Sequence, residues 1–251
     1  MYASIQYSES PLAISVSSAT LSGGDVDQLS HLLLSRDGSR LYFNTSAGAV
    51  AAVNATDGRV AWLVKYPRAA ARTGNPDQPE QHLFRDLAPC LVWHDLVFIA
   101  PSDSARLFAL EAATGQLAWA LPPAAADDAV HLLGVSDETL IAGGDSLYWI
   151  DAYTGRLLAQ FPPGRLGGAE IAAPSPRGFG RGLIAGSHVW WPTRDAIYVF
   201  EARPLKTEFG WQPKLVRQIP LAPLGITGGN LLMADDVLLI AGSDKLVALG
   251  K

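Results

Sequence analysis

Residues 106–119 read RLFALEAATGQLAW, and this stretch determines the predicted fold. Successive side chains alternate up to Glu111, as they do on the two faces of a β-strand. The pair Thr114-Gly115 then allows a tight reversal, because glycine accepts a positive φ and a hydroxyl can hold the turn. A second short apolar segment ends at Trp119. The stretch therefore predicts a β-hairpin.

The same hairpin recurs along the chain. Full copies stand at residues 49–62 (AVAAVNATDGRVAW) and 146–161 (SLYWIDAYTGRLLAQF), and shorter copies stand at residues 196–202 (AIYVFEA) and 245–249 (KLVAL). In the five copies, the second apolar position of the strand that enters the turn falls at Val50, Leu107, Leu147, Ile197 and Leu246. The intervals of 57, 40, 50 and 49 residues suit a four-stranded propeller blade, whose repeat is roughly 40 to 50 residues.

Two further apolar segments precede each copy and are separated by turn residues, so each unit reads as a four-stranded antiparallel meander. We therefore predict an all-β fold, a single β-propeller domain over residues 1–251 with about five blades. The expected blades span approximately residues 30–65, 86–121, 130–161, 181–219 and 229–251. The last unit stops after its third strand. An N-terminal strand within residues 2–17 is expected to complete it, because an open edge leaves backbone groups unpaired.

The composition of the chain argues against several classes of function. Of the 251 residues, 49% are hydrophobic and 17% are charged, and the net charge is −5. Nucleic acid is not expected as a partner, because neutralising phosphates requires clustered Lys and Arg. Cys90 is the single cysteine, and its apolar neighbours predict a buried thiol. No apolar run approaches the roughly 18 residues of a membrane helix, and the first residues lack the features of a signal peptide.

The repeated motif, Ala-x-Asp/Asn/Glu-x-x-Thr/Asp-Gly-x-x-x-Trp, is similar to the tryptophan-docking repeat of quinoprotein-type propellers, the pyrroloquinoline-quinone-like repeat family, which includes the outer-membrane-assembly lipoprotein. The matching positions are Ala52, Asn54, Asp57, Gly58, Trp62, Ala109, Glu111, Thr114, Gly115, Trp119, Asp151, Thr154 and Gly155. The third copy has Trp149 in place of the Ala and Ala159 in place of the Trp. The resemblance implies that the motif is structural, with its Trp packed on a neighbouring blade.

Members of this family commonly have seven or eight blades, so the chain is either a closed five-bladed ring or part of a larger one. The family also implies the cell envelope or periplasm. Because the chain shows no signal peptide, an exported protein would make it a fragment of a longer polypeptide, and the cytoplasm stays open as an alternative.

In an antiparallel meander, the turns between second and third strands lie on the same face as the connectors between blades. This face collects the longest loops, and long loops on a rigid scaffold are the usual place for binding. The candidate binding residues there are His82, Arg85, Asp86, Asp103, Asp145, Arg177, Phe179, Arg181, Arg194, Asp195 and Asp244.

Each group of candidates has two interpretations. Four turns carry an Asp (103, 145, 195 and 244), which is compatible with a ring that holds a hard cation and more simply with ordinary turn chemistry. The cluster at His82 could supply a base or a substrate clamp, or be a polar loop. The segment 177–181 (RGFGR) could grip a carboxylate or a sugar ring.

We predict a non-catalytic propeller scaffold that binds a protein, small molecule or glycan through the long-loop face. The alternatives are a module of a pyrroloquinoline-quinone-dependent oxidoreductase and a carbohydrate-binding propeller. Neither pyrroloquinoline quinone nor Ca²⁺ is expected. A single cysteine cannot form the adjacent-cysteine disulfide that the family's dehydrogenases use, and Trp190-Trp191 lies in a strand, where neighbours face opposite sides. No catalytic or metal-binding residue is assigned.

Overall fold

A computed structural model of the protein describes residues 6–7, 14–15, 35–45, 48–68, 89–101, 104, 106–122, 125–126, 128–163, 175–242 and 245–250. Within these ranges the regular secondary structure consists of β-strands joined by turns, apart from one 3₁₀ turn at Ala222–Leu224. The predicted all-β fold is therefore confirmed. None of the described segments forms a helix of the length and apolarity needed to cross a membrane.

Five antiparallel sheets follow one another along the described chain. Blade 1 contains β3 (Ser35–Asp37), β4 (Arg40–Asn44), β5 (Ala49–Asn54) and β6 (Val60–Lys65). Blade 2 contains β7 (Leu91–Trp93), β8 (Leu96–Ile99), β9 (Phe108–Glu111) and β10 (Leu117–Ala120). Blade 3 contains β11 (Ala129–Ser136), β12 (Thr139–Gly144), β13 (Leu147–Asp151) and β14 (Leu157–Phe161).

The fourth and fifth sheets depart from this plan. Blade 4 contains β15 (Leu183–Ala185), β16 (His188–Pro192), β17 (Ala196–Glu201) and β20 (Leu215–Pro220). A separate hairpin, β18 (Leu205–Thr207) with β19 (Gly210–Gln212), is inserted before β20. We call it the blade 4 hairpin. Blade 5 contains β21 (Asn230–Ala234), β22 (Val237–Ala241) and β23 (Leu246–Leu249).

The N-terminal strands do not reach blade 5 in the described residues. There, β1 (Gln6–Tyr7) pairs with β2 (Ile14–Ser15), and blade 5 is a three-stranded sheet. Completion of the fifth blade by residues 2–17 therefore stays a prediction.

The first strand of each blade lies at the centre of the assembly. Contacts join β3 to β7, β7 to β11, β11 to β15 and β15 to β21 in succession. The sheets are therefore arranged side by side with their first strands innermost, as the blades of a propeller are.

Apolar side chains fill each of the four junctions between consecutive blades. At the junction of blades 1 and 2, Tyr42, Val50 and Trp62 pack against Ile99 and Phe108. Three further clusters join blades 2 and 3, 3 and 4, and 4 and 5. Blades 2, 3 and 4 each take part in two junctions and so bury both faces, and their strands carry long apolar runs, such as the fully buried β12 of blade 3.

The motif tryptophans dock across these junctions as the family resemblance implies. The indole Nε1–H of Trp62 donates to the carbonyl of Ala112 at 2.9 Å, and that of Trp119 donates to Ala152 at 2.8 Å. Each indole also rests on the glycine of the following blade's turn, since a Cβ on Gly155 would lie 2.5 Å from the Trp119 ring. The motif therefore joins consecutive blades.

Blade 3 has no tryptophan on its outer strand at this position, and a tryptophan stands instead at the cross-strand partner of that position. In blade 1, Ala52 is the cross-strand partner of Trp62, whereas in blade 3 Trp149 is the partner of Ala159. Cross-strand partners point to the same face of a sheet. The large side chain has therefore moved one strand inward, where Trp149 is fully buried against Phe200.

The turns keep the chemistry expected from the sequence. Gly58, Gly115 and Gly155 have φ of +68°, +74° and +69°, the left-handed region that favours glycine. In blade 3 the Asp151 carboxylate accepts the Thr154 backbone N–H at 2.9 Å and the Thr154 hydroxyl at 2.8 Å. These bonds hold the reversal that the motif specifies.

Backbone hydrogen bonds show which loops share a face. The N–H of Ala112, after β9, donates to Asp95 in the turn between β7 and β8 at 2.7 Å. We call this side, which carries the Thr-Gly turns, the turn face. At the other end, the N–H of Leu221, after β20, donates to Asp195 between β16 and β17 at 2.8 Å. We call this side the connector face, and it contains the described candidate residues.

Candidate binding site

Residues 177–181 run along the connector face and join three blades. The N–H of Gly178 donates to the Asp145 carbonyl of blade 3 at 3.1 Å, and the N–H of Phe179 donates to Pro192 of blade 4 at 2.8 Å. The N–H of Arg181 donates to Asn230 Oδ1 of blade 5 at 2.8 Å. The segment is thus held at both ends and in its middle by neighbouring blades.

Glycine makes this close packing possible. A Cβ on Gly178 would lie 1.9 Å from the carbonyl oxygen of Gly144, and a Cβ on Gly180 would lie 2.3 Å from the carbonyl carbon of Gly229. Both distances are below any real contact of a Cβ atom. The two glycines of RGFGR therefore allow the backbone to approach its neighbours, and this fixes the intervening side chains.

Four of the predicted residues form two separate pairs along this segment. Arg177 Nη1 lies 3.9 Å from Asp145 Oδ2, and the Arg194 guanidinium carbon lies 4.6 Å from the centre of the Phe179 ring. The Arg177 side chain is 73% exposed, so its ion pair contributes about 1 kcal/mol or less to stability. Both arginines are exposed on the connector face, and Arg194 lies over the Phe179 ring.

Arg181 plays a different part from Arg177. Its Nη2–H donates to the Leu132 carbonyl of β11 at 3.5 Å, and its own carbonyl accepts the Leu231 N–H at 2.8 Å. Burial lowers the pKa of this guanidinium from its ordinary value. Arg181 therefore links the first strands of blades 3 and 5.

Asp195 stands beside these groups on an exposed turn. Its carbonyl is the acceptor for Leu221. The pKa of Tyr198 is raised, first by burial and second by the charge of Asp195. We refer to Asp145, Arg177, Phe179, Arg181, Arg194 and Asp195 together as the Arg177 surface. It carries three positive and two negative side chains on a chain whose net charge is −5.

The remaining candidates, His82, Arg85, Asp86, Asp103 and Asp244, lie outside the described residues. The proposed ring of four turn carboxylates is thus described at two positions, and one of these, Asp145, is paired with Arg177. Across the described ranges, no group of three or more His, Cys, Asp or Glu side chains is arranged to hold a metal ion.

Sequence comparison places the chain among known propellers. The profile of a pyrroloquinoline-quinone-like repeat family described as "Outer membrane protein assembly factor BamB" matches residues 34–212, well over half of the chain. The chain belongs to this BamB family. A search of curated proteins finds no significant match.

Solved structures agree on the propeller fold. BamB from Moraxella catarrhalis has a TM-score of 0.57 and 18% identity, and the alignment covers 85% of this chain and 58% of BamB. The computationally designed Ika8 protein has a TM-score of 0.59 and 13% identity, with coverages of 87% and 57%. The quinohemoprotein alcohol dehydrogenase ADHIIG from Pseudomonas putida HK5 has a TM-score of 0.53 and 16% identity, with coverages of 83% and 38%. The chain therefore spans less than two thirds of each of these proteins.

Trp190-Trp191, the pair considered as a floor for a quinone, does not fit that role in this BamB-family chain. Trp191 is 1% exposed and packs against Phe161 and Tyr198. Trp190 is covered by the Arg217 guanidinium, whose carbon lies 4.9 Å from the ring centre. The two rings face opposite sides of β16, as the strand period requires, and neither offers an open face for stacking.

Sequence reasoning missed a second surface, on the outer rim. A groove of about 560 Å³ lies between β14 and the blade 4 hairpin, with Leu157, Phe161, Trp211 and Leu215 among its lining residues. The available signal was the loss of the motif after Glu201, where Arg203-Pro204-Leu205 replaces the expected Thr-Gly turn. An insertion into one repeat commonly carries a function of its own.

Proposed function

We propose that the protein is a non-catalytic binding scaffold of the bacterial cell envelope and that it engages a protein partner through the Arg177 surface. Membership of a family described as an outer membrane protein assembly factor supports both the compartment and the class of partner. The observation that carries the choice of surface is the exposure of Arg177 and Arg194 on the connector face, where Arg194 lies over Phe179 of a segment fixed to three blades.

The chemistry of this surface favours an acidic partner segment. Arginine binds carboxylates with paired N–H donors and stacks on aromatic rings, and arginine and aromatic residues are enriched where proteins associate. A rigid backbone reduces the conformational entropy lost on binding. The Arg177 surface combines these three features, so it can hold a carboxylate-bearing segment without rearrangement.

Site-specific photocrosslinking in the bacterium of origin tests the proposal. A photoreactive amino acid at position 194 should give a discrete adduct with one envelope protein, and the adduct should diminish when Arg177→Ala is added. The matched control is position 59, where the exposed Arg59 forms an ion pair with Asp57 at 3.7 Å on the turn face. Equal adducts from positions 194 and 59, or none from 194, would contradict the proposal.

With the partner purified, Arg177→Glu and Arg194→Glu should each slow association, and the loss should shrink as salt is raised, because exposed charges act mainly on the encounter rate. Arg59→Glu should leave association unchanged. A loss confined to dissociation, or one shared by the control, would assign the contact to another surface.

An oxidoreductase module is the competing function, because the chain is similar in fold to a quinohemoprotein alcohol dehydrogenase. Under our proposal, pyrroloquinoline quinone with Ca²⁺ leaves the melting temperature unchanged. A ligand present at 100 times its Kd adds about 2.7 kcal/mol to the stability of the folded state, so binding would be visible as a clear upward shift.

A further inference from the structure

Asp145 brings a negative charge to the positive part of the Arg177 surface. Its Oδ2 lies 3.9 Å from Arg177 Nη1, and the Asp145 side chain is 30% exposed. A carboxylate is also the chemical group that the proposed acidic partner would offer to Arg177. The protein therefore holds one such group of its own beside the arginine.

Backbone contacts, and not the ion pair, hold Asp145 at this position. The N–H of Gly178 donates to the Asp145 carbonyl at 3.1 Å. Gly178 also packs so closely on Gly144 that a Cβ would lie 1.9 Å from the Gly144 carbonyl oxygen. Residues 144–145 and 177–178 are thus joined through their main chains. These contacts place the carboxylate beside Arg177 whatever the strength of the ion pair.

The ion pair leaves the guanidinium of Arg177 available to a partner. Charge-assisted hydrogen bonds between a guanidinium and a carboxylate have N···O distances of about 2.7–2.9 Å, so at 3.9 Å the two groups attract each other without forming one. The Arg177 side chain is 73% exposed, and a partner carboxylate can therefore reach it from solvent. Asp145 weakens that approach, because it offsets part of the arginine's charge and repels the incoming carboxylate.

Arg194 and Asp195 provide an internal comparison on the same surface. The Arg194 guanidinium lies over Phe179, and among the described residues no carboxylate forms an ion pair with it. Asp195 is exposed and likewise has no ion pair with a described residue. Removing the charge of Asp195 therefore changes the total charge of the surface without releasing an arginine, whereas removing that of Asp145 does both.

We propose that Asp145 is an intramolecular competitor for Arg177, which lowers the affinity of the Arg177 surface for acidic segments and restricts it to partners that place a carboxylate accurately. This inference rests on the proposed function, since it concerns the same surface and the same class of partner. A partner oxygen at hydrogen-bonding distance gains more from Arg177 than Asp145 does at 3.9 Å. An anion held by diffuse attraction alone has no such advantage. Asp145 therefore determines specificity.

Fluorescence anisotropy with a labelled hexaglutamate peptide at low ionic strength tests the proposal. Asp145→Asn keeps the size of the side chain and the carbonyl that accepts the Gly178 N–H, and it should bind the peptide about two- to fivefold more tightly than the unaltered protein. Asp195→Asn is the matched control and should give a smaller gain. With Arg177→Ala in place, the gain from Asp145→Asn should fall to that of Asp195→Asn, because the group for which Asp145 competes is gone. Urea unfolding of each variant shows that it is folded in the assay.

Two results with the peptide would overturn the proposal alone. Weaker binding by Asp145→Asn would show that the carboxylate positions Arg177 for its partner, and equal gains from Asp145→Asn and Asp195→Asn would show a general effect of charge. Absence of binding by both the unaltered protein and Asp145→Asn would refute the preference for acidic segments, and this inference with it.

The photocrosslinked adduct from position 194 separates the two proposals in the bacterium. Adding Asp145→Asn should increase the amount of adduct, because Arg177 is then released for the partner. An adduct that is present but does not increase would refute the role of Asp145 and leave the proposed function intact. Absence of any adduct from position 194 would contradict the proposed function itself.

Discussion

Replacing the turn glycines by alanine measures how strongly the tryptophan docks hold the propeller together. Gly58, Gly115 and Gly155 have nearly equal φ, from +68° to +74°, so alanine costs each of them about 1–2 kcal/mol of backbone strain. Their surroundings differ. No described atom lies within 4 Å of a Cβ on Gly58, whereas a Cβ on Gly115 or Gly155 would lie 2.8 or 2.5 Å from an indole.

The expected costs follow from this difference. Gly58→Ala should destabilise the protein by strain alone, about 1–2 kcal/mol. Gly155→Ala adds an overpacking cost of about 1–3 kcal/mol, because the Trp119 indole is 7% exposed and held by its hydrogen bond to the next blade. The total for Gly155→Ala is therefore about 2–5 kcal/mol. Gly115→Ala, against Trp62, should fall in the same range.

Urea unfolding of the three variants gives these values from the change in midpoint at constant slope. A double variant then isolates the indole. With Trp119→Ala in place, Gly155→Ala should cost only the strain seen at Gly58, because the ring that the Cβ meets is gone. Equal costs of Gly58→Ala and Gly155→Ala, or a cost of Gly155→Ala that is unchanged in the Trp119→Ala background, would show that contact with the indole does not set the difference.

Three further outcomes are expected. Trp149→Ala should cost about 3–5 kcal/mol as a cavity mutation, and adding Ala159→Trp should restore at least about 1 kcal/mol, measured as a coupling energy by urea unfolding. Burial raises the pKa of the Cys90 thiol from 9.0 to about 12. Because only the unfolded chain ionises between these pH values, stability should fall there by up to about 1.4 kcal/mol per pH unit. Cys90→Ala should remove that part of the alkaline slope, and an unchanged difference between the two proteins across pH 9–12 would contradict the assignment. Lys214→Ala breaks a 2.6 Å pair with Glu201 but should change stability by less than about 1 kcal/mol, since both groups are exposed; a larger loss on calorimetry would show that the pair is part of a network.

The blade architecture was predictable because its determinants are local. The turn at Gly115 needs a residue that accepts positive φ, and the strands on either side need alternating apolar positions, so sequence alone marks both. The division into two faces follows from the meander. The burial of Cys90, which precedes β7, was predicted from its apolar neighbours, whereas the docking of Trp62 and Trp119 was implied by the resemblance to the family repeat.

The Arg177 surface was predictable only as a list of residues. The sequence places Arg177 and Asp145 on one face, but their 3.9 Å approach depends on the path of a connector that packs on three blades. That path is set by close backbone contacts at Gly178 and Gly180. A pattern of letters gives no partner for such contacts, because the partners are 34 and 49 residues away in the chain.

The rim groove shows how a departure from a repeat becomes informative once the repeat is understood physically. Taken alone, Ala159 and the lost turn after Glu201 read as erosion of the motif. In the structure they are the two halves of one dock, and their joint loss leaves the core intact because Trp149 fills the interior from the neighbouring strand. The cross-strand exchange thus keeps the junction packed while it frees the outer edge. A blade that lost its tryptophan without such compensation would lose about 3–5 kcal/mol. Because Trp149 keeps the interior of the junction filled, the apolar groove is a feature of the surface and not a packing defect.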